Sequence, residues 1–387
     1  MKQTISEIDV KGKRVLMRTD FNVPMHEEKI VDDLRIRMAM PSIQSVLDRN
    51  ASLTLISHLG RPEGSGFESV FSLRPVAERL SELLSQEVVL SDSDCSSKIV
   101  LKENLRFNSG EIHGDKLFAE SLCIGCDIYC NDAFGTAHRN HASMVTVPQL
   151  MLDKPRVAGL LLAKELKYFN QVIGEGERPF IAILGGAKVA DKIGVIKNLI
   201  GKVDTIIIGG GMAYTFLASQ GISVGKSIIE SDFIDEAKAM LTFAAEQKTP
   251  IMLPVDHICA AECSATAIPL FESEDIPDNL MGLDIGPQTI ATYAEALASA
   301  KTVVWNGPMG VFEFEAFAEG TQEIAKILAE LTASGATSVI GGGDSGAAIS
   351  SFNLTDKMTH ISTGGGASLQ MLEGKAFLSV SLLDDTV

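Results

Sequence analysis

The chain has 387 residues, 45% of them hydrophobic and 21% charged, and its formal net charge is −17. At roughly 100–200 residues per domain, this length predicts two or three domains. The negative charge argues against general binding to nucleic acids or anionic membranes. No apolar run approaches the roughly 18–20 residues of a membrane span. The start, MKQTISEIDVKGKRV, lacks the apolar region of a secretory signal, so we expect a cytoplasmic protein.

The first half of the chain alternates short apolar runs with helical patterns, which predicts a parallel sheet covered on both faces. The runs are RVLMRTDFN, LTLISHLG, KIVLKENLRF and DIYCNDAFG. In open α/β sheets, ligands bind outside the carboxyl ends of the strands. The polar residues and the glycine that follow these strands are Asp20, Asn22, Arg35, Arg37, His58, Gly60, Arg61, Arg106, His138 and Arg139.

Basic side chains dominate this set although the protein as a whole is acidic. Arginine and histidine in number suit a ligand that carries a phosphate and a carboxylate. A single arginine is more simply explained as a solvated surface charge, but basic residues after several different strands favour a binding site. His138 and His141 lack an acidic or cysteine partner to complete a metal site, so we expect no metal there.

The segment CIGCDIYC contains a CxxC motif, which can bind a metal or act in redox chemistry. No second CxxC is present, and no histidine lies at zinc-finger spacing. We therefore expect reduced and mostly buried thiols, as is usual in a reducing compartment. The six cysteines are Cys95, Cys123, Cys126, Cys130, Cys259 and Cys263.

The middle of the chain, residues 157–179, predicts one long helix that joins two α/β domains. Apolar residues recur there at helical spacing, from Leu160 to Ile173, and the segment GEGERP ends the pattern.

The second half repeats the alternation of strand and helix, but glycines follow its strands. The runs are FIAILGGA, TIIIGGG, IMLPVDH, TVVWNGP, SVIGGG and HISTGGG. Glycines let a backbone approach a ligand closely, so this half suits a nucleotide. It contains neither GxxxxGK[ST] nor GxGxxG. Lys188 and Lys192 follow the first glycine pair and would share one face of a helix that begins there.

One segment of this half, VIGGGDSGAAIS at residues 339–350, leaves two interpretations open. Asp344 or Ser345 would be the N-cap of the following helix, a preferred position for both residue types. Alternatively, Asp344 would hold Mg²⁺ against a phosphate that binds at the helix N-terminus.

A set of motifs resembles the phosphoglycerate kinase family. The motifs are MRTDFNVP, SHLGRP, LKENLRFN, NDAFGTAHR, LGGAKVADK, DIGP, WNGPMGVFE, GGGDS and STGGGAS. They follow the order of that family from about residue 13 to 374, and the set is specific although each motif alone is modest. One difference stands out: GAA follows GGGDS where a second small polar residue is expected.

The resemblance implies an α/β enzyme with two doubly wound parallel-sheet (Rossmann-like) domains joined by a hinge helix, and a monomer. Residues 1–158 would bind 3-phosphoglycerate, with 373–387 packing back on them. Residues 159–175 would form the interdomain helix, and 176–372 would bind Mg-ADP or Mg-ATP. The implied reaction transfers a phosphoryl group reversibly from 1,3-bisphosphoglycerate to ADP, in glycolysis and gluconeogenesis.

The resemblance also implies roles for residues of the first domain. Asp20 and Asn22 would bind the hydroxyl region of the glycerate, and Arg35 would face its carboxyl or acyl-phosphate end as a catalytic residue. The non-transferred phosphate would be held by His58, Arg61, Arg106 and Arg139. The remaining substrate residues of the motifs are Phe21, Leu59 and Gly60.

In the second domain, Lys192 resembles the catalytic lysine that follows the phosphoryl group between the sites. Asp344 would be the Mg²⁺ ligand and Glu313 would bind the ribose. Gly365 and Gly366 would begin a helix aimed at the transferred phosphate. The other nucleotide residues implied are Gly186, Lys188, Gly209, Gly210, Asn306, Pro308, Gly342, Gly343 and Ser345.

Two other functions were weighed against this one. A two-domain protein that closes on a phosphorylated ligand without chemistry would need neither a metal ligand such as Asp344 nor a second, glycine-rich site. A dehydrogenase is disfavoured because GxGxxG is missing.

Overall fold

The computed structural model describes residues 1–93 and 97–386, so the expectation for Cys95 lies outside the described residues. The chain divides into two compact units. The first contains Met1–Lys167 and the C-terminal segment from Ala376 onward, and the second contains Tyr168–Lys375. Within the described ranges, no helix combines the length and the apolar character needed to cross a membrane.

The first unit is built on a six-stranded parallel sheet. The strands of this unit are β1 (Arg14–Arg18), β2 (Met25–His26), β3 (Lys29–Ile30), β4 (Ser52–Ile56), β5 (Val89–Leu90), β6 (Ile99–Leu101), β7 (Ile128–Asn131) and β8 (Arg156–Ala158). Its first helices are α1 (Leu34–Leu47), α2 (Arg74–Leu84), α3 (Ser109–His113), α4 (Lys116–Cys123) and α5 (Val147–Leu150). The sheet order is β5-β6-β4-β1-β7-β8, and β2 and β3 form a separate hairpin.

These elements follow from the apolar pattern of the sequence. In β1 and β4, four of the five residues are buried, as expected for strands covered on both faces. Helix α2 buries Val76, Ala77, Leu80 and Leu84, which lie on one face at helical spacing. The order of the strands reverses at β1, and such a reversal is where open α/β sheets bind ligands.

Helix α6 (Leu160–Glu175) leads from the first unit into the second, and the boundary falls after Lys167. Its first free N–H groups are satisfied by the buried carboxylate of Asp132, which follows β7. Asp132 Oδ1 accepts from the amides of Leu161 and Leu162 at 2.9 and 3.1 Å. The Asp132 side chain, although outside the helix, therefore caps its N-terminus.

The second unit contains another six-stranded parallel sheet and a small antiparallel sheet. Its strands are β9 (Phe180–Leu184), β10 (Thr205–Ile208), β11 (Ile251–Met252), β12 (His257–Ala260), β13 (Leu270–Glu272), β14 (Met281–Ile285), β15 (Thr302–Asn306), β16 (Thr337–Gly341) and β17 (His360–Ile361). Its helices are α7 (Ile193–Leu199), α8 (Met212–Ser219), α9 (Ile234–Glu246), α10 (Pro287–Leu297), α11 (Glu319–Ala333), α12 (Gly343–Ser351) and α13 (Gly365–Leu372).

The large sheet of the second unit has the order β11-β10-β9-β15-β16-β17, and every strand pair in it is parallel. The order reverses between β9 and β15, which places the loops after these two strands side by side. The prediction of parallel-sheet α/β architecture is confirmed. The antiparallel sheet β13-β12-β14 was not predicted.

The C-terminal segment packs on the first unit through hydrogen bonds and an ion pair. It includes α14 (Leu378–Ser381), where the Ser379 hydroxyl donates to the carbonyl of Ala137 at 2.5 Å. The Arg156 guanidinium pairs with Asp384 at 2.7 Å. These contacts fix the end of the chain beside β8.

The cysteines in the described ranges are free thiols. Cys126, Cys130 and Cys259 are buried, Cys123 is half-buried and Cys263 is exposed. Burial raises the pKa of Cys123 to about 11, with a further contribution from the neighbouring Cys126 thiol. The CxxC pair is therefore protonated at neutral pH, as expected of thiols that pack rather than react.

Candidate active site

A set of residues in the first unit follows its central strands, at the carboxyl ends of the sheet. We call this set the cationic edge; its members are Asp20, Asn22, Arg35, His58, Gly60, Arg61, Arg106 and Arg139. Arg35 donates to Asp20 at 2.8 Å, which joins the start of α1 to the loop after β1. The Gly60 amide donates to Asn22 Oδ1 at 2.8 Å, and Arg106 Nη1 donates to the Gly60 carbonyl at 2.7 Å. The loops after β1, β4 and β6 are thus tied together.

The charge state of the cationic edge follows from its burial. Burial alone would raise the pKa of Asp20, but the charges of Arg35 and Arg18 and a hydrogen bond from the Asn22 amide lower it below its ordinary value. Burial lowers the pKa of His58 well below its ordinary range, and neighbouring arginines add to the effect against the opposing Asp20. At neutral pH, Asp20 is therefore ionised and His58 is neutral.

Two predicted residues of this edge lie in the apolar core. Phe21 is fully buried and Leu59 is 2% exposed, and both belong to the core of the first unit. The Phe21 amide already donates to the Ser57 hydroxyl at 2.8 Å. Their side chains hold the loops in place, so only backbone atoms of these positions face the edge.

Sequence analysis missed the buried Arg18 beneath this edge. It is the last residue of β1, and its side chain is fully buried. Its Nε donates to the Ser143 hydroxyl at 2.9 Å, and that hydroxyl donates to buried Glu111 at 2.6 Å. Arg18 Nη2 also lies 3.2 Å from His58 Nδ1. The signal was an arginine directly after the apolar residues Val15–Met17 of this strand.

His138 and His141, which were considered and set aside as metal ligands, are neutral histidines. Burial lowers the pKa of each to about 4, and the positive charge of Arg139 contributes in both cases. Neither ring therefore adds a charge to the cationic edge at neutral pH.

Two adjoining cavities in the second unit lie where the strand order reverses. A polar cavity of about 270 Å³ and a mostly apolar cavity of about 280 Å³ share Gly186, Ala187 and Asp344 in their walls. The predicted residues of the polar cavity are Gly186, Lys188, Lys192, Asn306, Gly342, Gly343, Asp344, Ser345 and Gly365. Those of the apolar cavity are Gly186, Gly210, Pro308, Glu313 and Asp344.

Lys192 and Asn306 both line the polar cavity and contact each other there. Lys192 is 7% exposed, and its Nζ donates to Asn306 Oδ1. Burial lowers the pKa of Lys192 to about 8, against the opposing effect of Asp191 and Asp344. Asn306 is 2% exposed, and its Nδ2 has no hydrogen-bond partner within the described ranges. A buried cation and an unused amide donor line a cavity suited to an anion.

Glycine is required where the loops after β9, β10 and β15 touch. Gly307 has a φ of +99°, and a Cβ there would lie 2.1 Å from the Gly185 carbonyl oxygen. Gly210 has a φ of +67°, and its Cβ would lie 2.6 Å from the Gly186 amide nitrogen. Any side chain at these positions would clash and would hold a strained backbone.

The N-cap interpretation of Asp344 and Ser345 is wrong. Helix α12 begins at Gly343 and its N-cap is Gly342, which has a φ of +100°. Asp344 is in the first turn and exposed, and it accepts no hydrogen bond from the described residues. Ser345 is fully buried and its hydroxyl accepts from the Gly307 amide at 2.7 Å. Ser345 therefore fixes the glycine loop, while the Asp344 carboxylate faces the cavities.

Lys188 and Lys192 do not share the first turn of a helix, as the four-residue spacing had suggested. Helix α7 begins at Ile193, and Lys192 is its N-cap residue. Lys188 lies in the preceding loop and is exposed. Both side chains nevertheless line the polar cavity.

Most of the apolar cavity wall was missed from the sequence. Among its lining residues are Tyr214, Ile228, Cys263, Met281, Leu283 and Val311. Several of these residues lie on or beside the antiparallel sheet that was not predicted. Gly209 and Gly366 are not among the described residues that line either cavity. A Cβ at Gly209 would instead meet Met309 Sδ at 2.5 Å.

Comparison with known proteins gives a consistent result. A family model described as "Phosphoglycerate kinase" matches residues 5–375. The chain is 51% identical to a phosphoglycerate kinase of Rhodopirellula baltica over 403 residues, with 99% of each chain covered. It is 47% identical to one of Clostridium botulinum over 399 residues, again with 99% of each covered.

A solved structure of phosphoglycerate kinase from Coxiella burnetii superposes with a TM-score of 0.90 at 42% identity, covering 99% of this chain and 98% of that chain. The chain belongs to the phosphoglycerate kinase family. It is a kinase with a carboxyl group as acceptor, and it catalyses reversible phosphoryl transfer between 1,3-bisphosphoglycerate and ADP in glycolysis. This activity excludes the two alternative functions, a dehydrogenase and a ligand-binding protein without chemistry.

Kinases of this kind use ATP, generally with Mg²⁺, and the polar cavity fits such an ion. Mg²⁺ in nucleotide sites is usually held by one or two carboxylates together with phosphates and waters. Asp344 and Asp191 both line this cavity, and the Asp344 carboxylate is free of protein hydrogen bonds within the described ranges. The donor set therefore suits Mg²⁺ bound together with a nucleotide.

Proposed function

We propose that the cationic edge binds 3-phosphoglycerate or 1,3-bisphosphoglycerate, and that the two cavities of the second unit bind Mg-ADP or Mg-ATP. The observation that carries this proposal is the polar cavity. There, a buried lysine, an unpartnered amide donor and a free carboxylate converge beside glycine loops. The adjoining apolar cavity has the character expected of a site for a base, since Ile228, Met281 and Leu283 line it.

On this proposal, charged and polar side chains of the cationic edge bind the triose substrate. His58, Arg61, Arg106 and Arg139 hold the phosphate that is not transferred. Asp20 and Asn22 hold the hydroxyl region. The ion pair of Arg35 with Asp20 orients the guanidinium toward the carboxyl or acyl-phosphate end, which supports its proposed catalytic role.

The nucleotide phosphates lie in the polar cavity on this proposal. Ser345 and the amides at the start of α12 face them, and Gly365 and Gly366 at the start of α13 receive the transferred phosphoryl group. Asp344 holds Mg²⁺, which neutralises phosphate charge when it is bound. With a pKa of about 8, Lys192 is mostly protonated at neutral pH, so its ammonium stabilises the phosphoryl group during transfer.

No residue need act as a general base in this reaction. The nucleophile is a carboxylate in one direction and a nucleotide phosphate in the other, and both are already anions near neutral pH. Positioning and charge neutralisation therefore supply the catalysis. Since water would hydrolyse an acyl phosphate, we also propose that a closing movement precedes transfer.

We further propose a cytoplasmic monomer. The free thiols among the described cysteines support a reducing compartment.

The assignment of ligands is tested by hydrogen exchange measured peptide by peptide. We expect 3-phosphoglycerate alone to protect the loops of the cationic edge, and Mg-ADP alone to protect the loops after β9, β15 and β16. The reverse pattern would exchange the two assignments. Removing Mg²⁺ with a chelator should abolish turnover of ATP and 3-phosphoglycerate, and full activity without the ion would refute the role of Asp344.

A further inference from the structure

Glu230 reaches the loop that carries the two lysines of the polar cavity. We call residues 187–192 the lysine loop. Glu230 Oε2 accepts from two successive amides of this loop, those of Val189 and Ala190, the second at 3.1 Å. Both N–H groups precede helix α7, so no helical carbonyl satisfies them.

The glutamate is itself anchored on the other side. Its backbone amide donates to the Thr215 hydroxyl of α8 at 3.2 Å, and Thr215 is 1% exposed. Within the lysine loop, the amides of Lys192 and Ile193 both donate to the Val189 carbonyl, at 2.8 and 3.0 Å. The Val189 carbonyl therefore accepts two hydrogen bonds, and the Val189 amide donates one to Glu230. A fixed Val189 sets the position of the Lys192 backbone.

We propose that Glu230 is a positioning residue for the kinase reaction: by clamping the lysine loop, it holds the Lys192 ammonium in the polar cavity beside Asn306. The inference rests on the role proposed above for Lys192. Glu230 does not line either cavity among the described residues, so it acts on the reaction only through the loop. Misplacement of a catalytic group by about 1 Å costs on the order of 100-fold in rate, so a clamp of this kind affects turnover.

The test compares Glu230→Ala with Glu230→Gln. The alanine variant removes the acceptor, and we expect kcat to fall roughly 10- to 100-fold with KM for 3-phosphoglycerate unchanged. The glutamine variant keeps one side-chain oxygen, and Oε2 alone accepts both amides in the native enzyme. It should therefore restore most of the activity.

The effects on kcat and KM, together with the glutamine variant, separate positioning from a general loss of structure. The lysine loop belongs to the second unit, so its release should leave KM for 3-phosphoglycerate unchanged while kcat falls. Because kcat is normalised to the folded fraction of each variant, lower thermal stability alone would leave it unchanged.

Glu236→Ala is the matched control. Glu236 of α9 pairs with Lys197 of α7, so its loss removes a carboxylate contact to that helix without touching the lysine loop. We expect its kcat to equal that of the native enzyme. Should Glu230→Ala fail to fold, Glu230→Asp retains the charge but is too short to reach both amides, and the same changes are expected.

The inference is overturned if Glu230→Ala keeps kcat within about twofold, or if Glu230→Gln is as slow as Glu230→Ala. Lys192→Ala, measured in parallel, tests the underlying role. A fully active Lys192→Ala variant would refute the proposed function itself. A slow Lys192→Ala variant beside a normal Glu230→Ala variant would refute only the clamp.

Discussion

The two units build their proposed phosphate sites from different groups. The cationic edge uses side-chain charge: arginines and a neutral histidine, cross-linked by bonds such as Arg106 to the Gly60 carbonyl. The cavities of the second unit use close backbone approach, with glycines at Gly185, Gly210 and Gly307 and one buried lysine.

On the proposed assignment, this difference corresponds to what each ligand requires. The phosphate that is not transferred would be bound by fixed side-chain charges. The transferred phosphoryl group would need preorganised donors and a cation placed where charge develops during transfer. Substitutions in the two sites should therefore have different effects: loss of turnover in the second unit and loss of substrate binding in the first.

The largest effect is expected for Lys192→Ala in the second unit. If Lys192 contributes mainly in the transition state, its loss lowers kcat and kcat/KM together and leaves binding nearly intact. Loss of one well-placed stabilising donor costs on the order of 10²–10³ in rate, so turnover should fall at least about 100-fold. Steady-state kinetics and equilibrium binding of each substrate provide the measurement. Normal kcat with a raised nucleotide KM would instead assign the catalytic role to Arg35.

Arg61→Ala in the cationic edge should affect binding rather than turnover. Arg61 is exposed, and its proposed bond to the phosphate is charge-assisted, worth roughly 1.5–3 kcal/mol. We expect the affinity for 3-phosphoglycerate to fall by about 10- to 150-fold, with Mg-ADP affinity unchanged. Calorimetric titrations of the two ligands measure this. The opposite pattern would mean that the two units have been assigned to the wrong substrates.

Asp344→Asn should weaken only the metal-dependent part of nucleotide binding. The substitution keeps the shape of an exposed side chain that makes no described protein hydrogen bond, so stability should not change. A lost charged contact at the low end of its range corresponds to about tenfold in the affinity for Mg-ADP. ADP affinity without Mg²⁺ serves as the control. An unchanged Mg²⁺ titration would leave Asp344 without the proposed role.

The sequence predicted the parts of this molecule that rest on apolar periodicity. Strand β9, FIAIL, is buried at all five positions and is unambiguous as a strand. The short strand β13 is largely exposed and lacks that signal, so the antiparallel sheet and the apolar cavity beside it were missed. Local patterns also could not locate helix starts in glycine-rich loops, as the N-cap positions of Gly342 and Lys192 show.

Site residues were predicted best where they follow a strand in the chain. The position of Asn306 at the end of β15 fits the general rule for α/β sheets. Contacts between distant segments leave no such pattern. The bond of Glu230 to Ala190, across 40 residues, and the burial of Arg18 arise from packing alone.

Buried carboxylates outside the sites allow the smallest of the predicted effects, a dependence of the stability of each unit on pH. Burial raises the pKa of Asp132 in the first unit to about 7, against hydrogen bonds from the Ser42 hydroxyl and backbone amides. Burial also raises the pKa of Asp284 in the second unit to about 8, against hydrogen bonds from backbone amides. Both carboxyls are thus held above their ordinary range in the folded state.

The sign follows from proton binding. Between about pH 4 and the raised pKa, the folded state binds more protons than the unfolded state, so stability falls as pH rises. The contribution is fully present below about pH 4. It is lost as pH rises through about 7 for Asp132 and through about 8 for Asp284. Both units should therefore lose this stabilisation as pH rises from about 4 toward the raised pKa of their buried carboxyl.

Hydrogen exchange resolved by peptide and corrected for the intrinsic pH dependence of exchange measures the opening free energy of each unit. In Asp284→Asn, the slope against pH should flatten in the second unit only. Its absolute stability is a poor readout because Asp284 also accepts from the Gly320 amide at 2.7 Å. A slope that persists in the variant would show that Asp284 does not set the pH response of the second unit.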